Sequence, residues 1–169
     1  VAPHGGAIEP GTSECARALA GSMFSLYVFE SLQNPGNRSL HVTSTHFDDP
    51  VCLDLISRSA LVVTVHGCEG KEEAVFVGGR AGNEKAYLIE CLGANGFLAL
   101  PDRLHRGMYR NNLCNRGMTG AGLQLELSEG LRRSFATDPQ TASIGAGCRA
   151  QAFVQLVSES LQSLCERRL

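Results

Sequence analysis

Residues 60–66, ALVVTVH, form an unbroken apolar, β-branched run that closes on a histidine with a glycine behind it. A strand with one wet face alternates polar and apolar side chains. One that does not alternate is buried on both faces, as in a parallel or mixed sheet covered by helices. This segment therefore points to a layered α/β fold. Other segments agree with it. FSLYVFES at 24–31, LHVTST at 40–45 and AVFVGG at 74–79 read as strands. LQLELS at 123–128 alternates, with Leu123, Leu125 and Leu127 on one face and Gln124, Glu126 and Ser128 on the other.

Helices are expected between the strands. SECARALA at 13–20 follows Gly-Thr-Ser, PVCLDLISRS opens behind Asp-Asp, and NEKAYLIECLGANG at 83–96 stops at its glycine. Near the carboxyl end, Phe153, Leu156, Val157, Leu161 and Leu164 form one helical stripe. NPGN at 34–37 has turn chemistry, and 134–148 reads as a loop. No repeat or linker divides the 169 residues, so 1–169 is expected to form one α/β layer sandwich, large enough to need no cross-links.

Composition narrows the function classes. A net charge of −2 gives no global attraction to nucleic acid or membrane. The seven cysteines are odd in number, widely spaced and without a CxxC pair. They read as free thiols in a reducing compartment rather than a zinc ribbon or redox motif. No apolar run approaches a membrane span and no secretory leader is visible. A cytoplasmic monomer, acting outside the cell after lysis, is the expectation.

Ligands in open α/β sheets bind beyond the carboxyl ends of the strands. His4 and His66 each precede a glycine at the end of an apolar stretch, Arg80 follows AVFVGG, and His46 follows LHVTST. These groups are expected to converge on one sheet edge. His4 and Glu9, joined by the flexible Gly5-Gly6, suit zinc, whose hydrolytic sites take three protein ligands from imidazole nitrogen and carboxylate oxygen. The same pair is compatible with a surface histidine beside a helix-start carboxylate. His66 is the leading third ligand. His46 is its rival, more suited to lining the pocket. Glu126 is either a solvent-facing strand residue or a general base for a metal-activated water. Residues 103–125 carry Arg103, Arg106, Arg110 and Arg116 and no acid, which favours an anion site. A cysteine hydrolase built on Cys68 and His66 lacks a third, orienting group.

Taken in order, APHGGAIEPGTSE, LHVTSTHFDDP, VVTVHGCEG, AVFVGG, NNLCNRG and LQLELSEGLR resemble the phage and bacterial poly-γ-glutamate hydrolase family, from residue 2 to about 133. The resemblance implies a three-layer, zinc carboxypeptidase-like fold, with a mixed, mostly parallel sheet between helices. It implies one Zn2+ per chain on His4, Glu9 and His66, and hydrolysis of the γ-glutamyl amide bonds of an anionic polymer. Glu126 takes the general-base position; Arg80, on its place in the chain alone, falls to the developing oxyanion. Asn115 and Arg116 resemble a pair that grips a substrate carboxylate. Arg110 and the other arginines of the acid-free segment would bind further carboxylates, with Arg132 and His46 also on the substrate side. Family members carry a further segment before APHGG that includes a strand, and a strand end frays unless something ties it down. A zinc amidase for another γ-glutamyl or peptidoglycan-type bond, and an anion-polymer binding module without turnover, are the alternatives.

Overall fold

The computed structural model describes residues 1–32, 37–135 and 148–166. Most of the expected 34–37 turn and 134–148 loop lies outside them. The elements run β1 (Ala2–Gly6), α1 (Thr12–Ala20), β2 (Val28–Ser31), α2 (Pro50–Ser57), β3 (Val63–Cys68), β4 (Ala74–Gly78), α3 (Gly82–Ala94), β5 (Leu98–Pro101), β6 (Leu123–Ser128), α4 (Glu129–Phe135) and α5 (Cys148–Glu166). Short 3₁₀ helices occupy Asn37–Leu40 and Leu113–Asn115.

Four strands pair in the order β3-β6-β4-β5, and β1 pairs with β2. Three pairings are parallel and one, β4 with β6, is antiparallel. The two sheets meet at the amino terminus. Val1 N donates to Val63 O, and Val65 N donates to Val1 O, each at 2.8 Å. The strand that carries His4 is therefore tied down on both sides. The sheet is mixed and mostly parallel, as the resemblance implies.

Leu123, Leu125 and Leu127 are fully buried against a core drawn from α1, α3, α4 and α5, with Phe153 and Leu88 among its largest side chains. On the opposite face a smaller cluster of Phe47, Cys52, Ile56, Val62 and Leu113 packs α2 and the second 3₁₀ helix against the sheet. Asp49 caps α2 by accepting from Val51 N and Cys52 N. These three layers match the expected architecture.

Several local expectations are corrected. LHVTST is not a strand: a 3₁₀ turn ends at Leu40 and an irregular segment follows. Its alternation is real, but among the described residues no strand pairs with it, and its polar groups are used elsewhere. The strand expected at 24–31 is confined to Val28–Ser31. Leu98–Pro101 is a strand that local pattern does not reveal, since it has four residues and ends on proline. β6 has no solvated face. Gln124, Glu126 and Ser128 are 4%, 7% and 1% exposed, because β6 lies between β3 and β4 with a loop laid over its polar side.

Candidate metal centre and general base

β1 and β2 do not keep one register. Ala2 lies opposite Val28 and Gly5 opposite Glu30, so β1 takes three steps where β2 takes two. Such an irregularity turns the side chains that follow to the other face. Ala2 packs into the helix-side core, yet His4 meets His66 on the opposite face. Val65 belongs to the helix-side core, which leaves its neighbour His66 on the far face.

Glu9 returns to His4 through a tight turn. Gly6 has φ of 64° and Gly11 of 91°, values that glycine tolerates. Glu9 N donates to His4 O at 2.9 Å. A side chain at Gly5 would place its Cβ 2.0 Å from Ser13 Oγ, the atom that accepts from Gly6 N. The glycine pair is needed for this close approach.

The donor atoms converge. His4 Nδ1 lies 3.0 Å from Glu9 Oε1 and 3.1 Å from His66 Nδ1, and His66 Nδ1 lies 3.8 Å from Glu9 Oε2. Two ligand atoms on a tetrahedral zinc with bonds near 2.1 Å are roughly 3.4 Å apart. The outer partners suit a cation as well. Val42 O, which can only accept, lies 2.7 Å from His4 Nε2 and fixes that proton, so the neutral ring offers a lone pair at Nδ1. Ser44 Oγ lies 3.1 Å from His66 Nε2, and its hydroxyl accepts from Nε2–H in one tautomer or donates to the Nε2 lone pair in the other. Gly67 N donates to Glu9 Oε2 at 2.7 Å. Two Nδ1 atoms at 3.1 Å repel as lone pairs unless a proton or a cation lies between them, so this donor set fits a zinc ion.

Burial drives His66 down to about 3, against the pull of Glu9, so its ring is neutral at ordinary pH. Burial also opposes charge on His4, but the hydrogen bond and charge of Glu9, with the Val42 carbonyl, outweigh it and raise the net value. Glu9 is buried too, yet its histidine partners and Gly67 N hold it below the usual carboxylate range.

β3 and β6 pair in register, with His66 opposite Glu126. Neighbouring strands lie roughly 4.8 Å apart, so the two side chains leave the sheet side by side on one face. The Glu126 carboxylate is held in place. Gln124 Nε2 donates to Glu126 Oε1 at 2.9 Å and to His105 O at 2.8 Å, while Asn112 Nδ2 donates to Gln124 Oε1 at 3.0 Å. Burial, with the charges of Glu9 and Asp102, pushes Glu126 up to about 8.

The arginines divide. Arg80 does not join the centre. β4 runs antiparallel to β6 and Gly78 pairs with Gln124, so Arg80 leaves from the end of β6 where the chain enters it. At 3.3 Å per residue that is about 13 Å along the strand from Glu126. Its guanidinium reaches Met108 O instead, at 3.4 Å, and the expected convergence on one sheet edge fails for it. Arg116 donates to Asn111 O, Phe47 O, Thr45 O and Ser44 O, so it braces the 44–47 turn rather than facing a ligand. Asn115 donates to Gly107 O and Tyr109 O and accepts from Arg80 N and Gly122 N, which uses its whole amide on the fold. Arg132 binds Leu127 O, Pro10 O and Cys68 O at the carboxyl ends of β3 and β6, with Glu9 and Glu126 close enough to feel its charge. A cleft of about 720 Å³ opens there between Glu9, Gly11, Gly67, Cys68 and Arg132. Arg110 is exposed on the acid-free loop, and His46 is exposed in a turn with its Nδ1 3.1 Å from Thr43 Oγ1. Burial pushes the Cys68 thiol up to about 11, which removes it as a ready thiolate.

Local pattern misses Val42, Ser44, Gln124 and His41. The signal was present, since HVTST joins a histidine to three hydroxyls. Among the described residues, His4, Glu9 and His41 bring ligand atoms within 4.8 Å of one another.

The chain is similar to known proteins in sequence and in fold. The profile of a family described as poly-gamma-glutamate hydrolase matches residues 1–159. UPF0714 protein YndL of Bacillus subtilis (strain 168) is 42% identical over 138 residues, 80% of this chain and 54% of that protein. The chain thus spans about half the length of this relative. The structure of a bacteriophage poly-gamma-glutamate hydrolase superposes with a TM-score of 0.89 at 28% identity, covering 98% of this chain and 83% of the other. A zinc-free apo structure of YndL superposes with a TM-score of 0.90 at 36% identity, covering 96% and 83%.

Proposed function

Because the chain belongs to the poly-γ-glutamate hydrolase family, we propose that it hydrolyses the γ-glutamyl amide bonds of poly-γ-glutamate with one zinc ion per chain. His4 and His66 through Nδ1, with Glu9 through its carboxylate, are the residues that would hold the ion. Zinc bound there supplies Lewis acidity to an amide carbonyl and to water. Glu126, across the ladder from His66 and ionised once a cation at the centre offsets its burial, takes the proton from the attacking water and delivers it to the leaving nitrogen as the C–N bond breaks. Gln124 keeps the carboxylate aimed during that transfer.

The substrate is a polyanion, and Arg132 is close enough to Glu126 for its charge to act on it. Arg132 stands at the strand ends, and the acid-free loop is anchored over Gln124 through His105 O. Arg110, exposed on that loop, is the residue assigned to substrate carboxylates. Arg132 contributes charge rather than a two-pronged grip, since its guanidinium is already shared among three carbonyls.

The observation that carries this reading is the 3.1 Å approach of the two Nδ1 atoms beside Glu9, with Glu126 in register one strand away. Its test is the metal content of the purified chain beside His66→Ala, together with release of shorter chains from poly-γ-glutamate and from peptidoglycan. One zinc per chain that disappears with His66, and cleavage of the first polymer alone, are expected. Cleavage of peptidoglycan alone would move the chemistry to another γ-glutamyl bond. Polymer binding with no turnover would make the protein a binding module.

A further inference from the structure

None of these roles uses His41, which immediately precedes the segment serving His4 and His66. Its ring stacks on His4 with centroids 4.0 Å apart. Its Nε2 lies 3.1 Å from Glu9 Oε1, the same oxygen that faces His4 Nδ1. His41 is 41% exposed, whereas His4 and His66 are 2% and 4% exposed. The site therefore has two buried imidazoles on strands and one accessible imidazole on an irregular segment, all directed at one carboxylate.

That asymmetry has a chemical consequence. A zinc site closed by four protein donors is structural in type, whereas a hydrolytic one keeps a position open for water or substrate. With His4, Glu9 and His66 as three donors, a fourth imidazole decides between the two. Resting on the reading of those three residues as zinc ligands, we propose that His41 is a detachable fourth ligand: it closes the site in the resting protein and yields its place when a substrate carbonyl arrives.

The local structure permits this at small cost. Val42 is pinned through its carbonyl to His4 Nε2, so the backbone can stay in place while the His41 side chain changes rotamer. Release exchanges the metal–nitrogen bond for one to the substrate oxygen and, among the protein's own contacts, gives up one exposed hydrogen bond and one ring stack. The same movement at His66 would unpack a buried strand residue.

Zinc competition with a chelator and the visible spectrum of the cobalt(II)-substituted full chain test the proposal without reference to turnover. His41→Ala should weaken zinc binding about 10- to 100-fold, with His66→Ala losing far more. The wild-type cobalt spectrum should change when a γ-glutamyl oligomer is added, and His41→Ala should already lack the resting spectrum. Wild-type zinc affinity and an unaltered cobalt spectrum in His41→Ala would overturn the proposal while leaving the three-ligand site standing. Wild-type affinity in His66→Ala would instead overturn the site on which it rests. Metal-free thermal unfolding of His41→Ala should match wild type, since the side chain is exposed.

Discussion

His4 and His66 face each other through their Nδ1 atoms at 3.1 Å although 62 residues separate them along the chain. Each turns its other ring nitrogen to the same short segment, His4 to Val42 O and His66 to Ser44 Oγ. The irregular stretch between the first 3₁₀ turn and α2 thus sets the tautomer of one imidazole and accommodates either tautomer of the other.

Metal binding should stabilise the fold through this pair. Zinc at a hundred times its dissociation constant adds about 2.7 kcal/mol to unfolding. His66→Ala should remove nearly all of that increment, read as loss of the zinc-induced rise in melting temperature. Binding should also release protons, drawn from His4, whose proton affinity is raised, and not from His66, which is already neutral. Zinc affinity should therefore rise with pH, and calorimetry in buffers of different ionisation enthalpy measures the proton count.

Glu126 makes metal-free stability depend on pH in the unusual direction for a carboxylate. Its folded value is raised to about 8 from an ordinary 4.5, so the folded state holds the proton more tightly than the unfolded chain does. Its contribution is fully present below about pH 4.5 and is lost as pH rises through about 8. Glu126→Gln should flatten that part of the profile, an effect on the order of a few kcal/mol seen in denaturant unfolding between pH 5 and 9. The same variant should lose about 10²- to 10⁴-fold in kcat while still binding zinc.

Gln124 should act through Glu126 and not through substrate binding. Gln124→Leu strands the buried Asn112 Nδ2, at a cost of about 1–3 kcal/mol, and releases the part-buried His105 O. It also frees the Glu126 carboxylate. A fall in kcat with KM little changed, alongside lower stability, is the expected pattern. A change in KM alone would contradict it.

Arg116 and Arg110 should separate cleanly. Arg116→Ala removes a guanidinium bonded to the carbonyls that shape the 44–47 turn, so stability falls by about 1–3 kcal/mol, measured by denaturant unfolding. KM for the polymer should hold in the folded fraction. Arg110→Ala should leave stability unchanged and raise KM, with the difference from wild type shrinking as salt is added.

Much of this arrangement is legible in residue order. The unbroken run before His66 announces a doubly buried strand, the leucine alternation of 123–127 places Glu126 on the polar face, and Gly5-Gly6 allows Glu9 to turn back on His4. These are local matters of side-chain period, apolar burial and backbone freedom, which neighbours in sequence largely decide. Tertiary structure decided the rest. The register slip in β1 aims His4 at His66, the antiparallel run of β4 carries Arg80 away from Glu126, and chain closure commits Asn115 and Arg116 to distant carbonyls. It also turned HVTS, locally a good strand, into the support of the two imidazoles. Strand direction and the choice of hydrogen-bond partner depend on which distant segment lies alongside, and no short stretch of chain contains that information.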